Sequence, residues 1–320
     1  SISKIKNCRL AEPGEFTKKA FQNGKINLLK AESIADLISA ETEIQRKQAV
    51  KIMCGKSSEK FNVWREKLLK VLSHIEATID FPEEDLPKNI IKEIKKKTGN
   101  VLIEIKKTLK DEKVGERIRE GYKIAIVGPP NSGKSSLLNY LSQRDVAIVS
   151  EIAGTTRDVI ETHLNLDGYP VIVSDTAGIR NSKNEIEKKG IKIALNRAED
   201  ADLKLIIISS QELNFTSVLN NLLTKNAILV INKSDLLKNK LNRSFKKKHI
   251  LISIKRNFNL DKLIKIIKNK IKKNFANSDN ILITRERHRQ NLKNCVYHLE
   301  KFQMKKNTKD FDKAAEDLRL

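Results

Sequence analysis

The feature that most constrains the fold is an eight-residue segment, Gly-Pro-Pro-Asn-Ser-Gly-Lys-Ser at residues 128–135, between an apolar run and a helical pattern. Its spacing matches G-x-x-x-x-G-K-[ST]. The glycines let the backbone curve around an anion, and the amides at the start of the following helix point inward with a favourable dipole. The segment therefore predicts a strand–loop–helix unit whose loop holds the phosphates of a nucleotide.

Beyond residue 121, short β-rich runs alternate with helical segments. The β-rich runs cover residues 123–127, 171–174, 203–208, 227–231 and 250–254. This alternation predicts a mostly parallel sheet covered by helices on both faces. Asp167 and Gly168 form a turn signal between two β-rich runs, residues 159–166 and 169–174, so we expect one antiparallel hairpin at an edge.

The segments on either side of this α/β part are helical. Apolar residues recur every three or four positions over residues 61–79 and 91–109, and residues 28–38 begin a similar stripe. A shorter helical segment starts near residue 284 and is too short to bury a core alone, so we expect it to fold back on the first helical region. The residues on its apolar face are Leu292, Cys295, Val296 and Leu299. The expected organisation is an all-α domain of residues 1–118 and 276–320, with an α/β domain, residues 121–275, inserted into it.

The formal net charge of +23 indicates a polyanionic partner. Lysine dominates the basic residues throughout the chain, so a generally lysine-rich surface explains the charge as well as a specific RNA-binding face does. The densest lysine run, residues 262–273, has isoleucines at helical spacing, which indicates an amphipathic helix with a solvated basic face.

No apolar run approaches the roughly 18 residues that a membrane span requires. The three cysteines, Cys8, Cys54 and Cys295, lie far apart and show neither metal-ligand spacing nor a disulfide framework. We therefore expect reduced, buried thiols in a cytoplasmic protein that does not bind a membrane.

A base-recognition site is predicted at residues 232–235, Asn-Lys-Ser-Asp, which follow the β-rich run 227–231. The segment is similar to the N-K-x-D motif of GTPases, with Asn232, Lys233 and Asp235 as its defining residues. A carboxylate at Asp235 can accept two hydrogen bonds from guanine, whereas adenine would leave it unsatisfied. The predicted fold class is therefore α/β plus all-α: a P-loop GTPase domain, Ras-like with a mostly parallel sheet, inserted into a helical domain.

Two further segments fit switch regions that contact the γ-phosphate. Asp175, Thr176, Ala177 and Gly178 end a β-rich run; Asp175 is expected to hold Mg²⁺ through water, and the Gly178 amide to contact the γ-phosphate. The segment Gly-Thr-Thr-Arg-Asp at residues 154–158 supplies a switch threonine, assigned to Thr156. We expect these two segments to become ordered through contacts with the γ-phosphate.

Catalysis departs from the Ras pattern. In Ras-like enzymes, a glutamine directly after the glycine that corresponds to Gly178 orients the attacking water. Ile179 occupies that position here and cannot do so. Asn131 in the phosphate loop and Glu187 in the downstream switch are the candidates to position water and neutralise charge.

These features together resemble the tRNA modification GTPase family MnmE, also called TrmE. The similar segments are residues 9–16, 20–25, 31–38, 80–84, 175–180 and 315–319. The resemblance spans nearly the whole chain, and the helical segments are specific to the family.

The resemblance implies a set of site residues. K⁺, in place of an arginine finger, would be bound by Asn131, Ser150, Ile152 and Thr155. Mg²⁺ would be bound by Ser135 and Thr156, and Glu187 would be the catalytic residue that orients water. The other expected nucleotide contacts are Ser132, Gly133, Lys134, Ser136, Glu151, Ala153, Gly154, Ser253, Ile254 and Lys255. The backbone of Ile254, where the usual motif has alanine, could still contact the base.

The resemblance also implies a biological role. GTP-bound G domains of the family dimerise across their switches, and the family modifies the wobble uridine of tRNA at carbon 5. It does so with a FAD-dependent partner, MnmG or GidA, and a folate one-carbon donor. Lys25 matches a residue that contacts folate. The family's N-terminal folate-binding domain and C-terminal Cys-Ile-Gly-Lys tetrapeptide lie outside this sequence, so we expect a shortened chain with GTPase machinery but without modification chemistry.

Three other classes fit the sequence less well. A GTP-switched ribosome-assembly factor would have similar GTPase motifs, but no G-x-x-G loop follows Lys270. A P-loop ATPase is disfavoured by Asn232 and Asp235. A pseudo-GTPase scaffold is disfavoured by the intact Lys134 and Asp175.

Overall fold

In this computed structural model, the described residues are 5, 8–80, 90–111, 113–144, 147–148, 161–175, 196–213, 217–224, 226–237, 248–275, 281–305 and 311–319. The chain divides into two compact units. The helical unit comprises Ser1–Ala40, Gln45–Arg119 and Asn277–Leu320, and the α/β unit comprises Glu41–Ile44 and Glu120–Ala276. The helical unit is therefore formed from segments that precede and follow the α/β unit, which is inserted into it.

Within the described ranges, the α/β unit contains a seven-stranded sheet of order β2-β3-β4-β1-β5-β6-β7. Its strands are β1 (Tyr122–Val127), β2 (Ala147–Ile148), β3 (Glu161–Leu166), β4 (Tyr169–Asp175), β5 (Leu203–Ser209), β6 (Ala227–Asn232) and β7 (His249–Leu251). Strands β4, β1, β5, β6 and β7 are parallel, and β3 pairs antiparallel with both β2 and β4. The predicted mostly parallel sheet is confirmed; the two-residue strand β2 had no sequence prediction.

The predicted hairpin between β3 and β4 is also confirmed. Asp167 has a φ of 53° and Gly168 a φ of 87°, so both central turn residues are left-handed. Positive φ at both positions is what a tight turn between twisted antiparallel strands requires. The Asn165 side chain accepts a hydrogen bond from the Gly168 amide at 2.8 Å, which fixes the turn.

Strand β7 is shorter than the predicted run 250–254, because it ends at Leu251. The chain turns at Ser253, whose amide donates to the Phe258 carbonyl at 3.2 Å while the Phe258 amide donates back at 2.9 Å. Asn257 and Asn259, inside and after this turn, have φ values of 51° and 57°. Asparagine tolerates this backbone region better than most residues, so the turn replaces further strand pairing.

Strand β5 is the centre of the α/β core. All seven of its residues are buried, as expected for a central strand of a parallel sheet with both faces covered. The labelled helices of this unit are α7 (Lys134–Arg144), α8 (Ser217–Leu222) and α9 (Leu260–Asn274). The predicted lysine-rich amphipathic helix corresponds to α9, which buries Leu263, Ile264, Ile267 and Ile271.

The ends of the α/β unit lie next to each other. Tyr122, at the start of β1, makes an edge-on ring contact with Phe275, which follows α9, with centroids 5.9 Å apart. The Asn274 side-chain amide donates to the Tyr122 hydroxyl at 3.1 Å. The first strand and the last helix of this unit are therefore joined by direct packing.

The helical unit contains α1 (Glu15–Gln22), α2 (Leu28–Ile38), α3 (Glu43–Met53), α4 (Lys56–Asp80), α5 (Ile90–Leu109), α6 (Val114–Glu120), α10 (Glu286–Met304) and α11 (Phe311–Arg319). α3 and α6 each extend by one or two residues into the α/β unit. Trp64 of α4, Val101 and Ile105 of α5 and Leu299 of α10 form one buried cluster. Leu292, Cys295 and Val296 pack against this cluster, so the predicted return of the last segment onto the first helical region is confirmed.

A buried ion network ties α10 to α6. The Arg289 side chain is 4% exposed, and its Nε donates to both carboxylate oxygens of Glu116 at 2.9 and 3.2 Å. Its terminal nitrogens donate to Asp111 at 2.6 Å and to the Leu109 carbonyl at 3.1 Å. Buried charges need such pairing, because an unpaired charge loses its hydration without compensation.

Two features of the helical unit differ from a simple interpretation of the sequence, and one of them, the expected burial of the cysteines, was wrong. The predicted helix over residues 28–38 is confirmed, but its apolar stripe is only partly covered: Leu28 is 42% exposed and Ile38 is 81% exposed, whereas Ser33 is buried. The Ser33 hydroxyl donates to the Lys30 carbonyl at 2.8 Å, which lets a polar residue occupy the inner face. Cys8 and Cys54 are exposed, and only Cys295 is partly buried, where burial raises the pKa of its thiol.

None of the helices in the described ranges combines the length and the apolar character that crossing a bilayer requires.

Candidate nucleotide-binding site

The phosphate-loop segment lies where the sequence predicts it, between the end of β1 and the start of α7. Asn131 is exposed and left-handed, with a φ of 57°. Ser135 and Ser136 are exposed on the first turn of α7. The amides of a first helical turn lack partners within the helix, so this turn presents donors and a positive dipole end suited to phosphate.

The loop is held closed by its own side chains. Ser132 is fully buried, and its hydroxyl donates to the Pro129 carbonyl at 2.8 Å. The Lys134 ammonium donates to the same carbonyl at 3.0 Å, and the residue is 7% exposed. The lysine side chain thus lies against the loop, where its positive charge can bind a phosphate held by the loop.

Gly133 is where the loop touches the predicted base-recognition segment. Its φ is 100°, and a Cβ added there would lie 2.1 Å from the Asn232 side-chain nitrogen. Backbone conformation and contact both exclude a larger residue, so the glycine is required by this packing.

Asn232 connects three segments of the site. It ends β6 and is 3% exposed. Its side-chain nitrogen donates to the Ser132 carbonyl at 2.9 Å, and its side-chain oxygen accepts from the Ile254 amide at 3.3 Å. One amide group therefore fixes the phosphate loop relative to the loop that follows β7. Because the Ile254 amide is engaged in this way, its contact with a base stays a prediction.

Asp235 is exposed and accepts a hydrogen bond from the Ser253 hydroxyl at 2.5 Å. This bond is the main cause that lowers the pKa of Asp235, and the positive charges of Arg256 and Lys255 add to it. The carboxylate is ionised at neutral pH and so retains its acceptor character. Ser253 itself is 1% exposed, which fixes the position of its hydroxyl.

Asp175 lies at the end of β4, and strand register pairs it with Ile126 of β1. Ile126 comes two residues before Gly128, the first residue of the phosphate loop. Parallel strands end at the same edge of a sheet, so this register brings Asp175 to the edge where the loop begins.

The MnmE helical domain family matches residues 28–320. A tRNA modification GTPase MnmE of Pelagibacter ubique (strain HTCC1062) is 70% identical over 321 aligned residues, which cover 100% of this chain and 72% of the relative. The chain belongs to the MnmE family.

A second MnmE relative, from Rickettsia rickettsii (strain Sheila Smith), is 46% identical over 327 residues, with 100% of this chain and 72% of the relative covered. A crystal structure of Aquifex aeolicus Era bound to GDP and aluminium fluoride is 31% identical over 46% of this chain and 56% of that chain, with a TM-score of 0.37. Membership of the MnmE family rests on the family match and the MnmE relatives.

Several of the predicted site positions lie outside the described residues. They are Ser150, Glu151, Ile152, Ala153, Gly154, Thr155, Thr156, Thr176, Ala177, Gly178 and Glu187. Most of the expected K⁺ ligands, the switch threonine and the catalytic glutamate are among them, so their roles stay predictions. Lys25, the expected folate contact, is exposed just after α1.

Ser210 contacts the predicted base-recognition segment, although the MnmE resemblance did not indicate it. Its hydroxyl donates to the Lys233 carbonyl at 2.6 Å, and its amide donates to the Asn232 carbonyl at 2.9 Å. Lys233 has a φ of 59°, so these bonds support a left-handed residue inside the base-recognition segment. The sequence indicated this role of Ser210 only through the pair of serines, Ser209 and Ser210, that follows the apolar residues of β5.

Proposed function

We propose that this chain binds GTP with Mg²⁺ and hydrolyses it to GDP and phosphate, as part of a tRNA modification system. The observation that carries the proposal is the position of Asn232. It joins a phosphate loop to a segment with the guanine-recognition pattern through hydrogen bonds to Ser132 and Ile254. A nucleotide lying along these loops would meet donors at the phosphates and a carboxylate at the base.

The described residues fit such a ligand. Lys134 supplies positive charge beside the first turn of α7, and Ser135 supplies a hydroxyl in the position that ligates Mg²⁺ in phosphate loops. Asp175 reaches the same edge through the β1–β4 register. Bound Mg²⁺ would neutralise charge on the β- and γ-phosphates. The chain's own part is to orient the phosphates and to hold the ionised Asp235 toward the base.

Hydrolysis requires a group that orients water, and Ile179 cannot do this. We infer that Glu187 has this role, and that Asn131, Ser150, Ile152 and Thr155 bind K⁺, by their match to the MnmE pattern. Thr156 would complete the Mg²⁺ ligands. In the GTP state, two G domains would meet across their switches. Asn131 is exposed on its loop, which suits a residue that contacts a bound ion.

The relatives are named tRNA modification GTPases, which supports tRNA as the partner RNA. We propose that the reaction served is carboxymethylaminomethyl modification of the wobble uridine, with an MnmG- or GidA-like flavoprotein and a folate one-carbon donor. Lys25 is the only folate contact proposed for this chain. The described cysteines are free thiols, in keeping with a cytoplasmic location.

The activity is tested by measuring GTP turnover against protein concentration in K⁺ and in Na⁺ buffers. We expect turnover that is much faster in K⁺ and rises more than linearly with protein, because K⁺ and dimerisation complete the site. Equal rates in the two salts would remove K⁺ from the proposal. Glu187→Ala should retain GTP affinity but lose turnover, and a normal rate would remove Glu187 from catalysis.

Base selectivity has its own test. Asp235→Asn should shift preference from GTP toward xanthosine triphosphate, because an amide offers a donor where guanine requires an acceptor. The matched control is Asp261→Asn, an exposed aspartate on the first turn of α9 outside the site. Unchanged preference in Asp235→Asn would place the base elsewhere.

A further inference from the structure

Helix α5 carries a straight line of exposed residues that the core does not use. The line consists of Lys92, Lys96, Asn100, Ile103 and Lys107, and we call it the lysine stripe of α5. Its spacings of four, four, three and four residues keep it on one side of a helix with 3.6 residues per turn. At about 1.5 Å per residue, the stripe is roughly 22 Å long.

The opposite side of α5 accounts for its packing. Ile94, Thr98, Val101 and Ile105 are all at most 3% exposed and face the helical core. Ile103, in the middle of the stripe, is 65% exposed. The stripe therefore adds nothing to the burial of α5 in the helical unit, although it includes a large apolar side chain.

The charges of the stripe are not neutralised within the described residues. The acidic neighbours on or near α5 are paired elsewhere: Glu93 with Lys97 at 3.7 Å, and Glu300 with Lys106 at 2.5 Å. Glu104, on another side of the helix, binds Lys60 and Lys67 of α4. Lys92, Lys96 and Lys107 form no ion pair in the part of the chain that the structure describes, and Lys110 adds a further exposed charge just past the helix end.

We propose that the lysine stripe of α5 binds the phosphate backbone of a structured RNA. Unpaired lysines in a line attract a polyanion through counterion release without reading its bases, and Asn100 and Ile103 provide contact area between the charged ends. The inference rests on the proposed function for the identity of the RNA, a tRNA. It adds the location of the contact, on the helical unit.

The α/β unit offers a matched comparison, because α9 is also rich in lysine. Lys268 and Lys272 of α9 are paired with Asp167 at 2.8 and 3.4 Å. Lys262, Lys265 and Lys273 are exposed on the same helix. Removing three exposed lysines from α9 changes the net charge as much as removing three from the stripe, so it separates a local contact from the effect of total charge.

The experiment measures binding of a labelled tRNA transcript, with uridine at the wobble position, by fluorescence anisotropy at about 50 to 200 mM salt. The test variant is Lys92→Gln/Lys96→Gln/Lys107→Gln, and the control is Lys262→Gln/Lys265→Gln/Lys273→Gln. Glutamine has a helix propensity close to that of lysine, so both variants should fold. GTP turnover and thermal unfolding of each variant are measured in parallel.

We expect the α5 variant to bind roughly tenfold or more weakly, with the slope of log affinity against log salt reduced by about 2. The α9 variant should bind like the unaltered chain, and Lys→Arg at the three stripe positions should retain binding, since arginine keeps the charge. GTP turnover without tRNA should be unchanged in all variants, because the stripe lies outside the nucleotide site.

Two results would overturn the inference: normal tRNA binding by the α5 variant, or equal losses of tRNA binding in the α5 and α9 variants. Failure of the proposed function looks different. If the unaltered chain hydrolyses GTP but binds no tRNA, the RNA partner and the stripe are both wrong. If it binds tRNA through the stripe but does not hydrolyse GTP, only the GTPase assignment is wrong.

Discussion

The side-chain amide of Asn232 donates to the main-chain carbonyl of Ser132 at 2.9 Å, joining residues that are 100 positions apart in the sequence. Both residues are buried, at 3% and 0% exposure. The bond links the end of β6 to the phosphate loop, so the two ends of a bound nucleotide would be recognised by parts of one hydrogen-bonded assembly. A disturbance at either end should therefore affect the other.

Asn232→Ala should lower the free energy of unfolding by about 1–3 kcal/mol, because it leaves the buried Ser132 carbonyl without a donor. It should also weaken GTP binding, since the phosphate loop loses its link to β6. Chemical denaturation and calorimetry with GTP and Mg²⁺ check the two effects. Asn139→Ala, an exposed asparagine on α7, is the control and should change neither. A stable Asn232→Ala protein with normal affinity would show that the bond is dispensable.

Gly133→Ala should abolish GTP binding. The added methyl would meet the Asn232 side chain at 2.1 Å, and the φ of 100° disfavours alanine. Gly168→Ala is the matched control: its φ is also positive, at 87°, but nothing lies within 4 Å of the added Cβ. It should cost only about 1–2 kcal/mol of backbone strain and leave GTP binding intact. Equal effects on affinity would mean that backbone strain alone, not the contact with Asn232, explains the loss.

Glu104→Gln should alter the dependence of stability on pH. The hydrogen bond from Lys60, followed by that from Trp64, lowers the pKa of Glu104 from 4.5 to about 2. A lowered folded-state pKa stabilises the protein above the unfolded-state pKa, and this contribution is lost as pH falls. The parent should thus be more stable than Glu104→Gln above pH 4.5, with the difference shrinking toward pH 2.

Urea denaturation across this pH range measures the difference between the two proteins. Glu93→Gln, on the same helix but paired with exposed Lys97 at 3.7 Å, is the control. It should follow the parent at every pH. A difference between parent and Glu104→Gln that does not change with pH would contradict the assigned cause.

Arg289→Ala should destabilise the helical unit by about 3–5 kcal/mol, because it leaves the buried Glu116 carboxylate without its partner. Arg287→Ala, two residues earlier on α10, removes a guanidinium that is 50% exposed and paired with Glu32. That change should lower stability by no more than about 1 kcal/mol. Thermal and urea unfolding compare the two variants, and similar losses would show that burial of Arg289 does not decide its contribution.

The sequence was sufficient for the parts of the fold that local patterns determine. The loop at residues 128–135 follows a strand and opens a helix, and Asp167-Gly168 forms the predicted turn. The sequence was insufficient to predict contacts between residues that are far apart in the chain. The contact of Asn232 with Ser132 depends on strand order, and the exposure of Ile38 depends on what packs beside α2. Apolar spacing identifies a helix but not which of its sides the rest of the chain covers.

The contact between Tyr122 and Phe275 has a consequence for protein engineering. Because the two ends of the α/β unit lie together, a short loop can replace it in the sequence. The contact therefore marks where the α/β unit could be excised, with the flanking segments of the helical unit rejoined through a few residues.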